Sequence, residues 1–126
     1  MGGVLHFEIH CDDVERAKEF YAKVLGWNYG TWRDPKYHLV EGDGIGAGRP
    51  TGALRKRDPD APATAAGHAP NSAVVVFAVD DIDNAHRAAL ANGGREKTPI
   101  TKVPDLGRTS YCFDTEDNVF GMITLD

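Results

Sequence analysis

Residues 6–27 read HFEIHCDDVERAKEFYAKVLGW, a strand pattern followed directly by a helix pattern. In the predicted strand Val4–Cys11, apolar residues alternate with the polar residues His6, Glu8 and His10. A period of two is typical of a strand with one buried face. One face of this strand is therefore apolar, and the other is ionisable.

A helix is predicted directly after Asp13. Its apolar residues recur at spacings of three and four, the aspartate can cap its first turn, and Gly26 ends it. After the helix come three predicted short strands, which are Trp27–Arg33, Tyr37–Glu41 and Ile45–Leu54. The order of this half is therefore strand, helix and three strands.

The second half of the chain repeats this order. Asp81 lies 68 positions after Asp13 and opens a second helix that ends at Gly93–Gly94. The predicted strands around this helix are Ala73–Val79, Glu96–Val103, Thr109–Asp114 and Val119–Leu125. A repeated β-α-β-β-β unit predicts an α+β fold in which two curved, barrel-like mixed sheets enclose a cavity.

The length of 126 residues fits one domain. We expect module 1 at residues 1–56, a Pro- and Ala-rich linker at 57–71 and module 2 at 72–126. The net charge of −5 argues against a nucleic-acid partner. No apolar run is long enough to span a membrane and no secretory signal is visible, so we expect a cytoplasmic protein. Cys11 and Cys112 are predicted to be buried thiols.

The polar face of the first strand is the first candidate site. Imidazole and carboxylate groups bind zinc, iron or nickel, and an imidazole can also act as a base near neutral pH. His6 and His10 are about 13 Å apart along an extended strand, so only a neighbouring pair such as His6 and Glu8 could share one ion. The alternative is that this face, including His10, meets water or a subunit contact. Its counterparts in the second half, Val74, Val76 and Ala78, coordinate nothing.

Aromatic and cationic residues form a second set of candidates. Trp27, Tyr29 and Trp32 could provide the aromatic wall of a small-molecule site, although a core or a dimer contact explains them equally well. The other candidate ligand-binding residues are Arg108, Tyr111, Phe120 and Met122. Met122 is a weak metal ligand, and methionine more commonly serves in packing.

The chain resembles the vicinal oxygen chelate superfamily, which includes glyoxalase I, bleomycin resistance proteins and extradiol dioxygenases. The resemblance rests on His6–Tyr21, on Val24–Trp27 and on the closing hairpin Ser110–Gly121. It implies a glyoxalase/bleomycin resistance fold, a homodimer, and modules that pair within one chain or are exchanged between two. It also implies a divalent metal that acts on substrate oxygens as a Lewis acid.

The resemblance places His6 at the first-strand ligand position, but the other ligand positions depart from the family pattern. Val74 and Met122 stand where two further ligands are expected, and Ile45–Leu54 has no carboxylate or imidazole. The cofactor is therefore either a divalent metal, which could be zinc, nickel, iron or manganese, or absent. The missing ligands favour the absence of a metal. The favoured function is metal-free sequestration of a small molecule in a cavity. The alternative is a metal-dependent lyase, isomerase or dioxygenase that uses His6 and Glu8.

Overall fold

The computed structural model describes residues 6–31, 37–45, 50–57 and 74–126, without the side chains of His6 and Tyr37. The first half contains β1 (His6–Cys11), α1 (Val14–Leu25), β2 (Asn28–Thr31), β3 (Tyr37–Glu41) and β4 (Thr51–Lys56). The second half contains β5 (Val76–Ala78), α2 (Ile82–Ala91), β6 (Arg95–Val103), β7 (Gly107–Phe113) and β8 (Val119–Leu125). The described elements therefore follow the predicted β-α-β-β-β order twice.

The strands of the described residues form two mixed sheets. Their orders are β1-β4-β3-β2 and β5-β8-β7-β6, so that β1 and β5 are outer strands. In each sheet the strand before the helix pairs in parallel with the last strand of its unit, and the remaining pairs are antiparallel. The predicted α+β fold of two curved sheets is confirmed, although neither sheet closes into a barrel within the described part.

Both helices begin where the sequence predicts, and α1 also ends there, whereas α2 ends at Ala91, two residues before Gly93. The Asp13 carboxylate accepts the N–H of Arg16 at 3.0 Å, and the Asp81 carboxylate accepts the N–H of Asn84 at 3.1 Å. Gly26 ends α1 with a φ of 73°, a left-handed conformation that glycine adopts without steric cost. Among the strands, β2 begins at Asn28, one residue later than predicted. The predicted linker 57–71 lies outside the described residues, apart from residue 57.

The helix-facing sides of both sheets share one aromatic core with α1. The Tyr21 ring stacks on Trp27 at 4.9 Å between centroids, and Phe20 meets Phe120 edge-on at 5.8 Å. Cys11 and Cys112 are fully buried free thiols, as predicted, and burial raises their pKa values to about 12 and about 11. In the described ranges, no helix is long and apolar enough to cross a membrane.

Candidate functional site

The open face of β1 carries Glu8 and His10, as the alternation predicts. The Glu8 Oε1 and His10 Nε2 atoms are 3.1 Å apart, and the side chains are 27% and 45% exposed. The backbone of His6 pairs with Thr51 at the start of the same strand, while the His6 side chain lies outside the described part. The two described ionisable groups therefore contact each other at a solvent-accessible face.

The donor set of the described residues does not fit a divalent metal. On the open face of the second sheet, the register places Val76 beside Gly121 and Ala78 beside Ile123, none of which has a donor side chain. No group of three or more His, Cys, Asp or Glu residues suited to a metal occurs in the described ranges. A metal shared by His6 and Glu8 stays a prediction because the His6 imidazole is outside those ranges.

Two of the predicted ligand-binding residues, Arg108 and Tyr111, lie on β7 of the second sheet. The Arg108 guanidinium contacts both carboxylate oxygens of Asp83, at 3.0 and 3.3 Å, on the helix-facing side. Tyr111 lies on the opposite, open face, where its half-buried ring covers Gly121 so closely that a Cβ there would be 2.9 Å away. The structure therefore does not bring Arg108 and Tyr111 together.

The remaining predicted ligand-binding residues belong to the core or lie outside the description. Phe120 and Met122 are buried on the helix-facing side of β8. The Tyr29 hydroxyl donates to the carbonyl of Lys18 at 3.0 Å, beneath α1. Trp32 is outside the described residues. Trp27 is mostly buried but reaches the margin of a cleft, where Glu8 also lies.

This cleft is a cavity that could receive a ligand. It has a volume of about 1330 Å³, is open to solvent, and lies between β1, β5, the end of α1 and the start of α2. Phe7, Trp27 and Phe77 supply its aromatic wall, and Ala85 and Ala88 form its α2 side. Trp27 and Phe77 meet edge-on at 5.1 Å, and Phe7 is 6.1 Å from both rings. The wall is therefore continuous and apolar.

The repeat explains why space opens beside α2. With the offset of 68 positions, Phe20 of α1 corresponds to Ala88 of α2, and Arg16 corresponds to Asn84. Phe20 fills the core against Phe120, whereas the methyl group of Ala88 leaves the same position open. The cleft therefore arises from small side chains on the second helix.

The corresponding corner beside α1 of the first half is filled by Glu116, which belongs to the second half. Its carboxylate accepts hydrogen bonds from Arg16 Nε at 2.7 Å, from Arg16 Nη2 at 3.1 Å and from the N–H of Asp13 at 2.7 Å. Burial acts to raise the pKa of Glu116, but the hydrogen bonds from Arg16 and Asp13 outweigh it and hold the pKa below its usual value. The position corresponding to Glu116 in the first module is Gly48, so that module supplies no matching carboxylate there.

Asp114 extends this network into the core. Its carboxylate accepts the Tyr21 hydroxyl at 2.7 Å, and it also accepts the N–H groups of Glu116 and Asn118. Burial raises the pKa of Asp114, although these hydrogen bonds oppose the shift. The network therefore fastens α1 of the first module to the β7–β8 turn of the second.

A separate polar group lies under α2 and offers no open site. His86 Nδ1 is 3.0 Å from the Ser110 hydroxyl, and His86 Nε2 is 2.8 Å from Glu96 Oε1. A serine, a histidine and a carboxylate in this order could activate a nucleophile. Ser110 is completely buried, however, so no substrate can approach its hydroxyl. These contacts anchor α2 to the second sheet.

Sequence reasoning missed several residues of the cleft. The alternation in β1 places Phe7 on the apolar face with no sign of a cleft, and no pattern distinguishes Phe77. Asp80 precedes the helix cap Asp81 and carries no separate signal in the sequence. One signal for the cleft was present in the sequence. Phe20 of the first helix corresponds to Ala88 of the second, which indicates missing side-chain volume at the second helix.

Two β-α-β-β-β units joined through a common helical layer define a class of proteins built from paired modules. The chain belongs to the Glyoxalase/Bleomycin resistance protein/Dioxygenase superfamily, whose family model matches residues 3–122. A search of curated proteins gives no match.

Solved structures with the same fold cover nearly the whole chain. A glyoxalase/bleomycin resistance protein from Albidiferax ferrireducens is 22% identical, with coverage of 96% of this chain and 97% of that one and a TM-score of 0.72. TnmS3, an antibiotic binding protein from a Streptomyces species, is 22% identical, with coverage of 100% and 98% and a TM-score of 0.69. The fosfomycin resistance protein FosX from Listeria monocytogenes is 16% identical, with coverage of 100% and 93% and a TM-score of 0.71. At these identities the likeness shows the fold alone.

Proposed function

We propose that this protein binds a small molecule in the cleft and sequesters it without a metal. The observation that carries the proposal is the open volume of about 1330 Å³ against the aromatic wall of Phe7, Trp27 and Phe77. Small-molecule sites are concave, mainly apolar and lined by a few polar groups. Proteins named for antibiotic binding and fosfomycin resistance share the fold, which supports this class of function.

The aromatic wall suits a ligand with a planar or apolar body. Burial of apolar surface favours binding by roughly 25 cal/mol per Å² before the cost of association is subtracted. Trp27 is held by its stack on Tyr21, and Phe77 packs edge-on against it, so both rings are positioned before a ligand arrives. A wall that is already ordered loses little conformational entropy on binding.

A ligand screen by thermal unfolding tests the proposal, with a variant that fills the cleft. Ala88→Phe restores at α2 the ring that α1 has in Phe20, and Ala91→Phe is the matched control on an exposed position of the same helix. A true ligand should stabilise the wild type and Ala91→Phe, increasingly with concentration. Ala88→Phe should lose at least tenfold in affinity. Equal affinity in all three proteins, or no stabilising compound at all, contradicts binding in this cleft.

The fate of the bound compound separates sequestration from catalysis. After incubation and denaturation, mass spectrometry should recover the compound unchanged, both after chelator treatment and after addition of zinc, nickel, iron or manganese. Consumption only in the presence of one metal, abolished by His6→Ala or Glu8→Gln, would instead establish the metal-dependent lyase, isomerase or dioxygenase. Elemental analysis of the purified protein provides an independent measure of bound metal.

We further propose that the protein forms a homodimer. Among the described residues, the apolar side chains of Leu106 and Leu125 are 45% and 60% exposed, and both lie outside the cleft. A second copy of the chain would cover this exposed apolar surface and leave the cleft open. Light scattering at micromolar concentration should give twice the mass of 13.7 kDa, and a monomer would exclude the dimer. We also propose that the protein is located in the cytoplasm.

A further inference from the structure

The charged groups around the cleft are mostly acidic. Asp43, Asp80 and Asp81 lie on its margin together with Glu8, and Lys23 is the one basic residue among the described lining residues. The Lys23 ammonium is 2.8 Å from Glu19, which compensates its positive charge. The described part of the margin is therefore negative, on a chain whose net charge is −5.

The acidic residues differ in how their charge is used. The Asp81 carboxylate accepts two hydrogen bonds from Asn84 and caps α2. Asp43 and Asp80 are exposed, and neither has an ion pair or side-chain hydrogen bond within the described residues. Their carboxylates are therefore available to a ligand without breaking an existing contact.

The two helix ends at the cleft add to this field. The C-terminal end of α1, from Lys23 to Gly26, lines the cleft, and the C-terminal pole of a helix carries a partial negative charge. The N-terminal pole of α2 would favour an anion, but Asp81 already caps it and Asp83 lies in its first turn. The remaining field at the cleft thus favours a cation.

The aromatic wall can receive a cation as well as an apolar body. A positive group within about 6 Å of an aromatic face is attracted by the ring quadrupole. One face of Trp27 is covered by the Tyr21 ring, and the half-buried Phe7 lies beside it in the cleft wall. Aromatic surface and uncompensated carboxylates occur together at the same opening.

We propose that the cleft selects small molecules that join an aromatic or apolar body to a positively charged nitrogen. This selectivity rests on the proposed function, because it names the ligand class of the same cleft. The aromatic wall of Phe7, Trp27 and Phe77 receives the body. Asp43 and Asp80 attract the charged group at the margin.

Three probes with one ring system test this charge selectivity. They are 1-naphthylmethylamine, which is a cation at pH 7, the neutral 1-naphthylmethanol and the anionic 1-naphthylacetate. Calorimetric titration at low salt should give the tightest binding for the amine and the weakest for the acetate. The preference of the amine over the alcohol should be at least fivefold and should shrink at 0.5 M salt, because salt screens exposed charges.

Charge-neutralising variants locate the effect. Asp43→Asn and Asp80→Asn should each reduce the affinity for the amine about threefold and leave the affinity for the alcohol unchanged. The matched control is Asp105→Asn, an exposed aspartate outside the cleft whose positive φ of 63° asparagine also tolerates. It should leave the binding of all three probes unchanged.

The outcomes separate this inference from the proposed function. Equal binding of amine and alcohol, or a preference that Asp43→Asn and Asp80→Asn do not alter, overturns the charge selectivity and leaves the cleft as a binding site. Binding of the amine that Ala88→Phe does not weaken shows that the cleft is not the site, and both proposals then fail. If none of the three probes binds, this ligand class is overturned. The proposed function is then still tested by the compounds of the thermal-unfolding screen.

Discussion

Substitution of Glu116 by glutamine tests the network that fastens the two modules. The Glu116 side chain is fully buried and receives two hydrogen bonds from Arg16 and one from the N–H of Asp13. Glutamine keeps the shape and one acceptor oxygen but loses the charge. Hydrogen bonds to a charged group contribute about 1.5–3 kcal/mol each. The remaining amide oxygen of the variant can still accept some of these hydrogen bonds, so only part of their contribution is lost. We therefore expect Glu116→Gln to lower the free energy of unfolding by about 2–3 kcal/mol at pH 7.

Urea denaturation measures this loss, and thermal unfolding should show a midpoint about 10 °C lower. The pH dependence follows from the lowered pKa of Glu116 in the folded protein. Its stabilising contribution is complete above the unfolded pKa, near 4.5, and is lost as the pH falls through the folded pKa. The difference between wild type and variant should therefore be full at pH 7 and shrink below pH 4.5.

The matched control is Glu19→Gln, which removes an exposed carboxylate that pairs with Lys23 on α1. Surface pairs of this kind contribute little, so its midpoint should match the wild type. A Glu116→Gln protein as stable as the wild type at pH 7 would refute the reasoning. So would a deficit that is equally large in acid, because the charge would then not be its cause.

Three further predictions concern the core. Tyr21→Phe removes the donor to Asp114 and should lower the free energy of unfolding by about 1–3 kcal/mol at pH 7. Because the pKa of Asp114 is raised, its carboxylate is protonated at a higher pH than an ordinary aspartate, and the charged hydrogen bond is lost there. The destabilisation of Tyr21→Phe measured in urea should therefore shrink as the pH falls, and a constant destabilisation would contradict this. Gly94→Ala places a Cβ 2.8 Å from two backbone oxygens and should cost about 1–3 kcal/mol in urea denaturation, whereas an unchanged midpoint would disprove the clash. Cys11 and Cys112 should react with a thiol reagent at pH 8 only after denaturation, and rapid labelling of the native protein would show that they are accessible.

The fold was predictable because its signals are local. The alternation from His6 to Cys11, the aspartates that precede both helices and the glycine after α1 each mark an element within a few residues. The repeat then follows from comparing the halves, since Asp13 and Asp81 begin equivalent helices. The predicted start of β2 is one residue too early because Trp27 has the aromatic character of a strand residue, although it packs in the core before the strand begins.

The site was less predictable because it depends on volume rather than on residue type. Aromatic character makes Phe120 a candidate, and the family resemblance places Met122 at a ligand position, but both side chains pack beneath the helices. This cleft arises because large side chains are absent from one face of α2, and an alanine such as Ala88 carries no chemical signal of its own. Only the comparison with Phe20 at the equivalent position gives it meaning.

The difference between the two halves leads to a final prediction about Ala88→Phe. A ring at this position would cover apolar surface of the wall, so the variant should be as stable as the wild type or more stable by about 1 kcal/mol in urea denaturation. The same ring removes the space that a ligand needs. Stability and binding should thus change in opposite directions, which is expected where a protein keeps a cavity for function. A large loss of stability would show instead that the space beside Ala88 is too small for a ring, and therefore too small for the proposed ligand.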